Sequence, residues 1–113
     1  MTQRLTSALM VSALIRRVHQ AGGAAMVLSK GDETAGSILV VAMEKGRITA
    51  LSERILGIDG TYVWTGTGPQ DVENVKEIDE YLARRRSRDP DLWVIELDIA
   101  GAARFAAQLD GSA

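Results

Sequence analysis

Six consecutive apolar residues at positions 38–43, Ile-Leu-Val-Val-Ala-Met, constrain the fold of this chain more than any other feature. The run is far shorter than the roughly 20 residues that a membrane-spanning helix needs. Turn-forming residues bound it on both sides, at 30–36 and at 44–46. Successive side chains of a strand point to opposite faces, and here both sets are apolar. The run therefore predicts a central strand of a sheet.

Helical and strand patterns flank this run. Apolar residues at helical spacing predict a first helix that ends at Gly22-Gly23. A long helix is predicted from Gln70 or Asp71 up to Pro90, with acidic residues early and arginines late, an order that complements the helix dipole. Residues 52–60 show no clear pattern. Further strands are predicted at 24–28, 47–51, 62–64 and 92–97, and a short terminal helix at 102–109.

This element order predicts one α+β domain over residues 1–113. We expect a mostly antiparallel sheet of four to six strands, with the two main helices packed on one face. The segment from Asp89 to Leu97 returns from the long helix, and we expect it to insert beside a central strand.

Composition removes several classes of chemistry. The 113 residues include no cysteine and a single histidine, His19, with 13 Lys+Arg against 15 Asp+Glu. The lack of cysteine excludes disulfides, a thiolate nucleophile and cysteine-bound metals. One histidine excludes a site that needs two imidazoles from one chain. A net charge of −2 gives no general field that attracts nucleic acid or anionic lipid. The pattern indicates no catalytic residue, cofactor or metal site.

The N-terminal region has a weak likeness to an export signal. Arg4 precedes a mildly apolar stretch over residues 5–15, but polar residues interrupt that stretch and Arg16-Arg17 follow it directly. We interpret the segment as part of the fold, and we expect a cytoplasmic protein with no membrane contact.

Three local sequences resemble one known family. They are 11–17 (Val-Ser-Ala-Leu-Ile-Arg-Arg), the hairpin 30–36, and above all 81–86 (Tyr-Leu-Ala-Arg-Arg-Arg) leading into 89–96 (Asp-Pro-Asp-Leu-Trp-Val-Ile-Glu). Together they are similar to the bacterial, mainly alphaproteobacterial, family known as domain of unknown function fourteen ninety-one. The resemblance spans roughly residues 4–98 and does not draw on 52–69. It implies a bacterial cytoplasmic protein of one domain, and it supplies no catalytic residues.

The arginine run is the most conspicuous charged feature, and it has two interpretations. It consists of Arg84, Arg85, Arg86 and Arg88. Charge runs usually form a solvated face, and here the run also complements its own helix dipole. The alternative is contact with an anion, a partner or nucleic acid. No aromatic residue is interleaved with the run to stack on a base, so nucleic acid is the less favoured partner.

Two loops and two tryptophans are the other candidates. Lys30, Asp32 and Glu33 lie at a charged hairpin tip that forms either a simple turn or a partner contact. Residues 65–71 are a glycine-rich turn without a Walker or dinucleotide-binding pattern. Trp64 and Trp93 lie on predicted strands, as core residues or as an aromatic interface.

Three functional hypotheses follow from these features. The leading one is a non-catalytic binding or interaction module, which self-associates as a homodimer through a sheet edge or an aromatic patch, or binds another protein. The second is nucleic-acid binding through Arg84–Arg88. The third is a small enzyme or ligand-binding subunit that uses loops 30–36 and 65–71.

Overall fold

The computed structural model describes residues 5–109. Residues 1–4, with Arg4, and 110–113 lie outside this range. Within it, no helix combines the length and the apolar character that crossing a membrane requires. The elements in chain order are α1 (Ser7–Gln20), β1 (Ala24–Ser29), β2 (Ile38–Glu44), β3 (Arg47–Leu56), β4 (Tyr62–Gly66), α2 (Val75–Arg88), β5 (Trp93–Asp98) and α3 (Ala102–Leu109).

The five strands form one sheet in the order β1-β5-β2-β3-β4. The pair β2–β5 is parallel and the other three pairs are antiparallel. Strand β2 lies at the centre, as its two apolar faces predict, and β5 inserts between β1 and β2. The α+β class and the mostly antiparallel sheet are therefore confirmed.

The two main helices lie on opposite faces of the sheet, so the prediction that they share a face is wrong. Ile38, Val40 and Ala42 of β2 pack in one core with α1 and α3. Leu39 and Val41 point the other way, into a second core with α2. The physical reason is in β2 itself, because a strand that is apolar on both faces needs a cover on both.

Side chains that bond to the backbone set where each main helix begins. Thr6 caps α1 by accepting a hydrogen bond from the Leu9 amide at 3.2 Å. Helix α2 begins at Val75 rather than at Gln70 or Asp71, with Asn74 as its cap. The Asp71 carboxylate accepts from the Glu73 amide at 3.1 Å, a local turn that competes with helix at this position.

Strand β3 is longer than its apolar pattern predicts. It runs to Leu56, and residues 52–56 pair with β4. The extension contains Ser52, Glu53 and Arg54, three polar residues that are buried or half-buried. Glu53 is paired with Arg85, which lies 32 positions further along the chain, so a local hydrophobic pattern cannot show its burial.

Candidate functional site: a groove under helix α2

Helix α2 covers its side of the sheet thinly. Of its residues, all of which the structure describes, Ile78 alone is fully buried. Tyr81 and Leu82 are half-buried against the same core. Ile78 packs with Leu39, Val41, Leu51 and Val94 of the three middle strands and with Leu92, which directly precedes β5. Most of the surface of α2 is therefore exposed to solvent.

A polar clamp fixes the C-terminal half of α2. The Nη1 and Nη2 atoms of Arg85 donate to the two carboxylate oxygens of Glu53 on β3, at 2.8 and 2.7 Å. Nη1 also lies 2.7 Å from the hydroxyl of Tyr81, which in turn lies 2.6 Å from the Thr67 hydroxyl. The side chains of Arg85 and Glu53 are 23% and 13% exposed. Fork-to-fork pairing of this kind is directional, so it holds α2 in one position on the sheet.

The clamp also has an electrostatic consequence. The hydrogen bonds to Glu53 raise the pKa of Arg85 above its ordinary value, although partial burial acts in the opposite direction. Arg85 is therefore cationic at every accessible pH.

The close approach of α2 to the loop after β4 also requires Gly68. This glycine has a φ of +75°, and an added Cβ would lie 2.9 Å from the Tyr81 ring.

A groove of about 770 Å³ opens under the N-terminal half of α2. Its floor comes from the ends of β2, β3 and β5, and its wall from α2 and the residues just before it. The lining is Met43, Gly46, Arg47, Ile48, Thr49, Val72, Glu73, Val75, Asp79 and Glu96.

One end of the groove is held by a tight turn between β2 and β3. Lys45 and Gly46 have positive φ angles of 52° and 81°. Their amides both donate to the Asp98 carboxylate at 2.9 Å. A carboxylate at the end of β5 thus fixes the β2–β3 turn beside the groove.

Glu96 is the unusual residue of the groove. It lies on an internal strand, in register with Met26 of β1 on one side and Val41 of β2 on the other. Its side chain is half-buried, yet within residues 5–109 no group donates a hydrogen bond to its carboxylate or forms an ion pair with it. Burial of a charge without a partner is unfavourable, so a cationic group that reached Glu96 through the groove would be stabilised there.

Charge in the groove is predominantly negative. Glu73, Asp79 and Glu96 line it against one cation, Arg47. Within residues 5–109, no three acidic or histidine side chains, these three included, are placed so that they could hold a metal ion together. The hydroxyl of Thr49 donates to the Ala42 carbonyl at 3.2 Å and is thereby engaged. The groove thus combines apolar side chains from both its floor and its wall with three carboxylates, of which Glu96 lies in the floor and Glu73 and Asp79 in the wall.

The structure divides the arginine run between two environments. Arg85 turns inward to Glu53, whereas Arg84, Arg86 and Arg88 are exposed. The inward residue is part of the support for α2.

The hairpin tip at Lys30, Asp32 and Glu33 is a hydrogen-bonded turn. Lys30 and Glu33 form an exposed ion pair at 3.2 Å. The Asp32 carboxylate accepts from the amides of Thr34 and Ala35 at 3.2 and 2.9 Å. No residue of 30–36 or of 65–71 lines the groove, although Val72, which does line it, directly follows the second loop.

The two tryptophans differ in exposure. Trp93 is 5% exposed and its indole N–H donates to the Asp32 carbonyl at 2.7 Å. It belongs to the core on the face of α1 and α3, which is the first of the two interpretations that the sequence left open for it. Trp64 is half-buried and packs against the same core.

Sequence reasoning missed Glu53 and Glu96. A signal for Glu96 was present, because it is the one charged residue within the apolar stretch 92–97. Glu53 had no local signal, since its partner Arg85 lies 32 positions away.

Comparison with known proteins identifies the family. The family described as "protein of unknown function (DUF1491)" matches residues 5–107. Among curated proteins, none is significantly similar to the chain.

Solved structures share both the fold and the sequence pattern. A crystal structure of a DUF1491 family protein from Caulobacter crescentus CB15 is 33% identical, with a TM-score of 0.77 over 90% of this chain and 94% of that one. An NMR structure of a DUF1491 family protein from the same organism is 31% identical, with a TM-score of 0.77 over 92% and 94%. The solution structure of protein Atu0922 from A. tumefaciens is 35% identical, with a TM-score of 0.66 over 86% and 87%. The resemblance seen in the sequence is confirmed, and the chain belongs to the DUF1491 family.

Proposed function

We propose that this protein is a non-catalytic interaction module whose binding site is the groove under α2. The observation that carries the proposal is Glu96, a half-buried carboxylate on an internal strand, open to a groove of about 770 Å³. Ligand pockets commonly have volumes of about 300–1,000 Å³, with an apolar lining and a few placed polar groups. The groove has both properties.

The chemistry of the lining selects the ligand class. Met43, Ile48, Val72 and Val75 offer apolar contacts, while three carboxylates outnumber one guanidinium. A ligand that fits is apolar on one side and carries a basic group able to reach Glu96. Hydrogen bonds between charged partners contribute about 1.5–3 kcal/mol, so this pairing confers specificity.

The architecture favours a helix as the occupant. A helix is about 10 Å wide and neighbouring strands lie about 4.8 Å apart, so one helix cannot cover a face of five strands. Two helices, α1 and α3, pack on the opposite face. Within residues 5–109, α2 is the one helix that packs on this face, and Met26 of β1 is 54% exposed beyond it. A basic amphipathic helix of a partner protein would complete the layer.

We also propose a cytoplasmic location. The apolar stretch that has some likeness to an export signal is part of α1, and Met10, Val11, Leu14 and Val18 belong to the core. Fractionation of cells that carry the tagged protein tests this, with recovery in the cytoplasmic fraction as the expected result. Recovery in a membrane or periplasmic fraction would contradict it.

A peptide titration tests the groove. The probe is a basic amphipathic helix of leucine and lysine, 14 residues long like α2, and the control probe replaces lysine with glutamate. With isotope-labelled protein, we expect the basic peptide to shift the resonances of Met43, Ile48 and Glu96, and the acidic peptide to shift none. Shifts confined to residues outside the groove would contradict the proposal.

A matched pair of variants tests the role of Glu96. We expect Glu96→Gln to raise the Kd of the basic peptide about tenfold, which corresponds to about 1.4 kcal/mol. Glu80→Gln is the control, because Glu80 is an exposed acid of α2 that does not line the groove. If both variants raised the Kd of the basic peptide equally, the peptide would be bound by general charge attraction rather than by Glu96, which would contradict the proposal.

A further inference from the structure

Strand β1 forms one edge of the sheet and has an open outer side. It pairs with β5, from Ala24 opposite Asp98 to Ser29 opposite Val94. Within residues 5–109, the other side of β1 has no strand beside it. The outward amides and carbonyls of such an edge are a template for a further strand.

The usual protections of an edge strand are largely missing from β1. Its sequence, Ala-Ala-Met-Val-Leu-Ser, contains no charged residue and no proline. Met26, Val27 and Leu28 are 54%, 39% and 41% exposed, so large apolar side chains project on both faces. The one feature of β1 that protects against edge pairing is a shift in its register with β5 between Val27 and Ser29. Such an irregularity bends a strand but does not block its edge.

The opposite edge, β4, differs in how its side chains are used. Tyr62 lies under the Arg54 guanidinium, 3.6 Å from ring centroid to Cζ, and Trp64 packs on the core. Val63, 43% exposed, is the one exposed large apolar residue of β4. Two of the three large side chains of β4 are thus engaged within the chain, whereas all three of β1 are exposed.

We infer that β1 pairs with β1 of a second copy of this chain, antiparallel and about a two-fold axis. An uncharged strand that pairs with itself brings no like charges opposite each other. A two-fold interface also uses the same patch on both copies and closes after two, so it does not propagate into a filament. The product is a continuous ten-stranded sheet, twice the five strands of one chain.

The size of the contact sets its strength. Each copy contributes six strand residues, three of them large and exposed. Interfaces that bury less than about 1,200 Å² in total are typically weak and transient. The dimer is therefore expected to dissociate with a micromolar Kd, independently of any ligand in the groove.

Sedimentation of two matched variants tests the inference. Wild type, Val27→Lys and Val63→Lys are compared from about 1 µM to about 1 mM, a range that brackets weak dimers. Both valines are exposed to a similar degree on edge strands, so the same substitution is made at either end of the sheet. We expect wild type to change from monomer to dimer, Val27→Lys to raise the dimer Kd at least tenfold, and Val63→Lys to change it less than twofold.

Three outcomes would overturn the inference. Wild type could stay monomeric over the whole concentration range, Val27→Lys could dimerise like wild type, or Val63→Lys could weaken the dimer as strongly as Val27→Lys does. Circular dichroism confirms the fold of each variant, and Leu28→Lys replaces Val27→Lys if the latter does not fold. A mixed labelled and unlabelled sample provides a second readout, in which Hα–Hα contacts between copies are expected within β1. Contacts between copies that map to β4 instead would contradict the pairing.

Discussion

The two faces of the sheet are built differently, although the same central strand supplies both. Among the described residues, twelve buried side chains form the core on the face of α1 and α3, and six form the core on the face of α2. On the first face two helices cover the strands. On the second face one helix is held by Ile78 and by the pair Arg85–Glu53.

We propose that this difference separates two roles, stability on the face of α1 and α3 and binding on the face of α2. The larger core supplies most of the apolar burial, which is the main favourable term in folding. The smaller core leaves part of its face open, and the groove with Glu96 lies there. Binding surfaces are commonly drawn from the less stable parts of a fold, and we expect α2 to open more readily than α1.

The largest effect is expected from a cavity on the α1 face. Leu14 is 0% exposed at the centre of the larger core. Leu14→Ala should lower the free energy of unfolding by about 2–5 kcal/mol, from lost burial and the cavity left behind. Urea denaturation measures this, and a loss below about 1 kcal/mol would mean that the larger core does not dominate stability.

Ile78→Ala makes the corresponding change on the α2 face, with an expected loss of about 2–3 kcal/mol. Because Ile78 is the main apolar anchor of α2, the loss should appear mainly as fraying of that helix, seen in amide resonances of 75–88. Val75→Ala is the control on the same helix, since Val75 is 54% exposed. If Ile78→Ala destabilised α1 and α2 equally, the two faces of the sheet would unfold as one unit, which would contradict this expectation.

The clamp should have a smaller effect. Arg85→Lys retains the charge but loses the two-pronged contact with Glu53, and the two side chains are half-buried. We expect a loss of about 1–2 kcal/mol, between the values of exposed and fully buried pairs. Arg86→Lys, at an exposed position of the same run, should change stability by less than about 0.5 kcal/mol. Equal effects of the two substitutions in denaturation experiments would contradict the clamp.

The cap of α2 should have the smallest effect. The Asn74 side chain accepts a hydrogen bond from the Glu77 amide at 3.1 Å. Asn74→Ala should cost about 1 kcal/mol, and the loss should be concentrated in the first turn of α2. Amide exchange in that turn measures it, and unchanged exchange there would exclude Asn74 as the cap.

Local patterns predicted much of the fold. The apolar run 38–43 correctly indicated the central strand, and the patterns of α1 and α3 were sound. The predictions that were wrong concern features that depend on residues far apart in the sequence. Glu53, in the extension of β3, is paired with the distant Arg85, and the placement of α2 is set by long-range packing on Leu39 and Val41. The candidate site was missed for a related reason: Glu96 is conspicuous in the sequence as a charge within an apolar stretch, but its place on an internal strand follows only from its pairing with Met26 and Val41.

Native-state hydrogen exchange tests the contrast between the two faces most directly. Amides of α1 and α2 are compared in the same sample, and the free energy of opening is obtained for each helix. The account predicts that the core amides of α1 exchange through global unfolding, while those of α2 exchange through a local opening of lower free energy. Equal opening free energies for the two helices would contradict it.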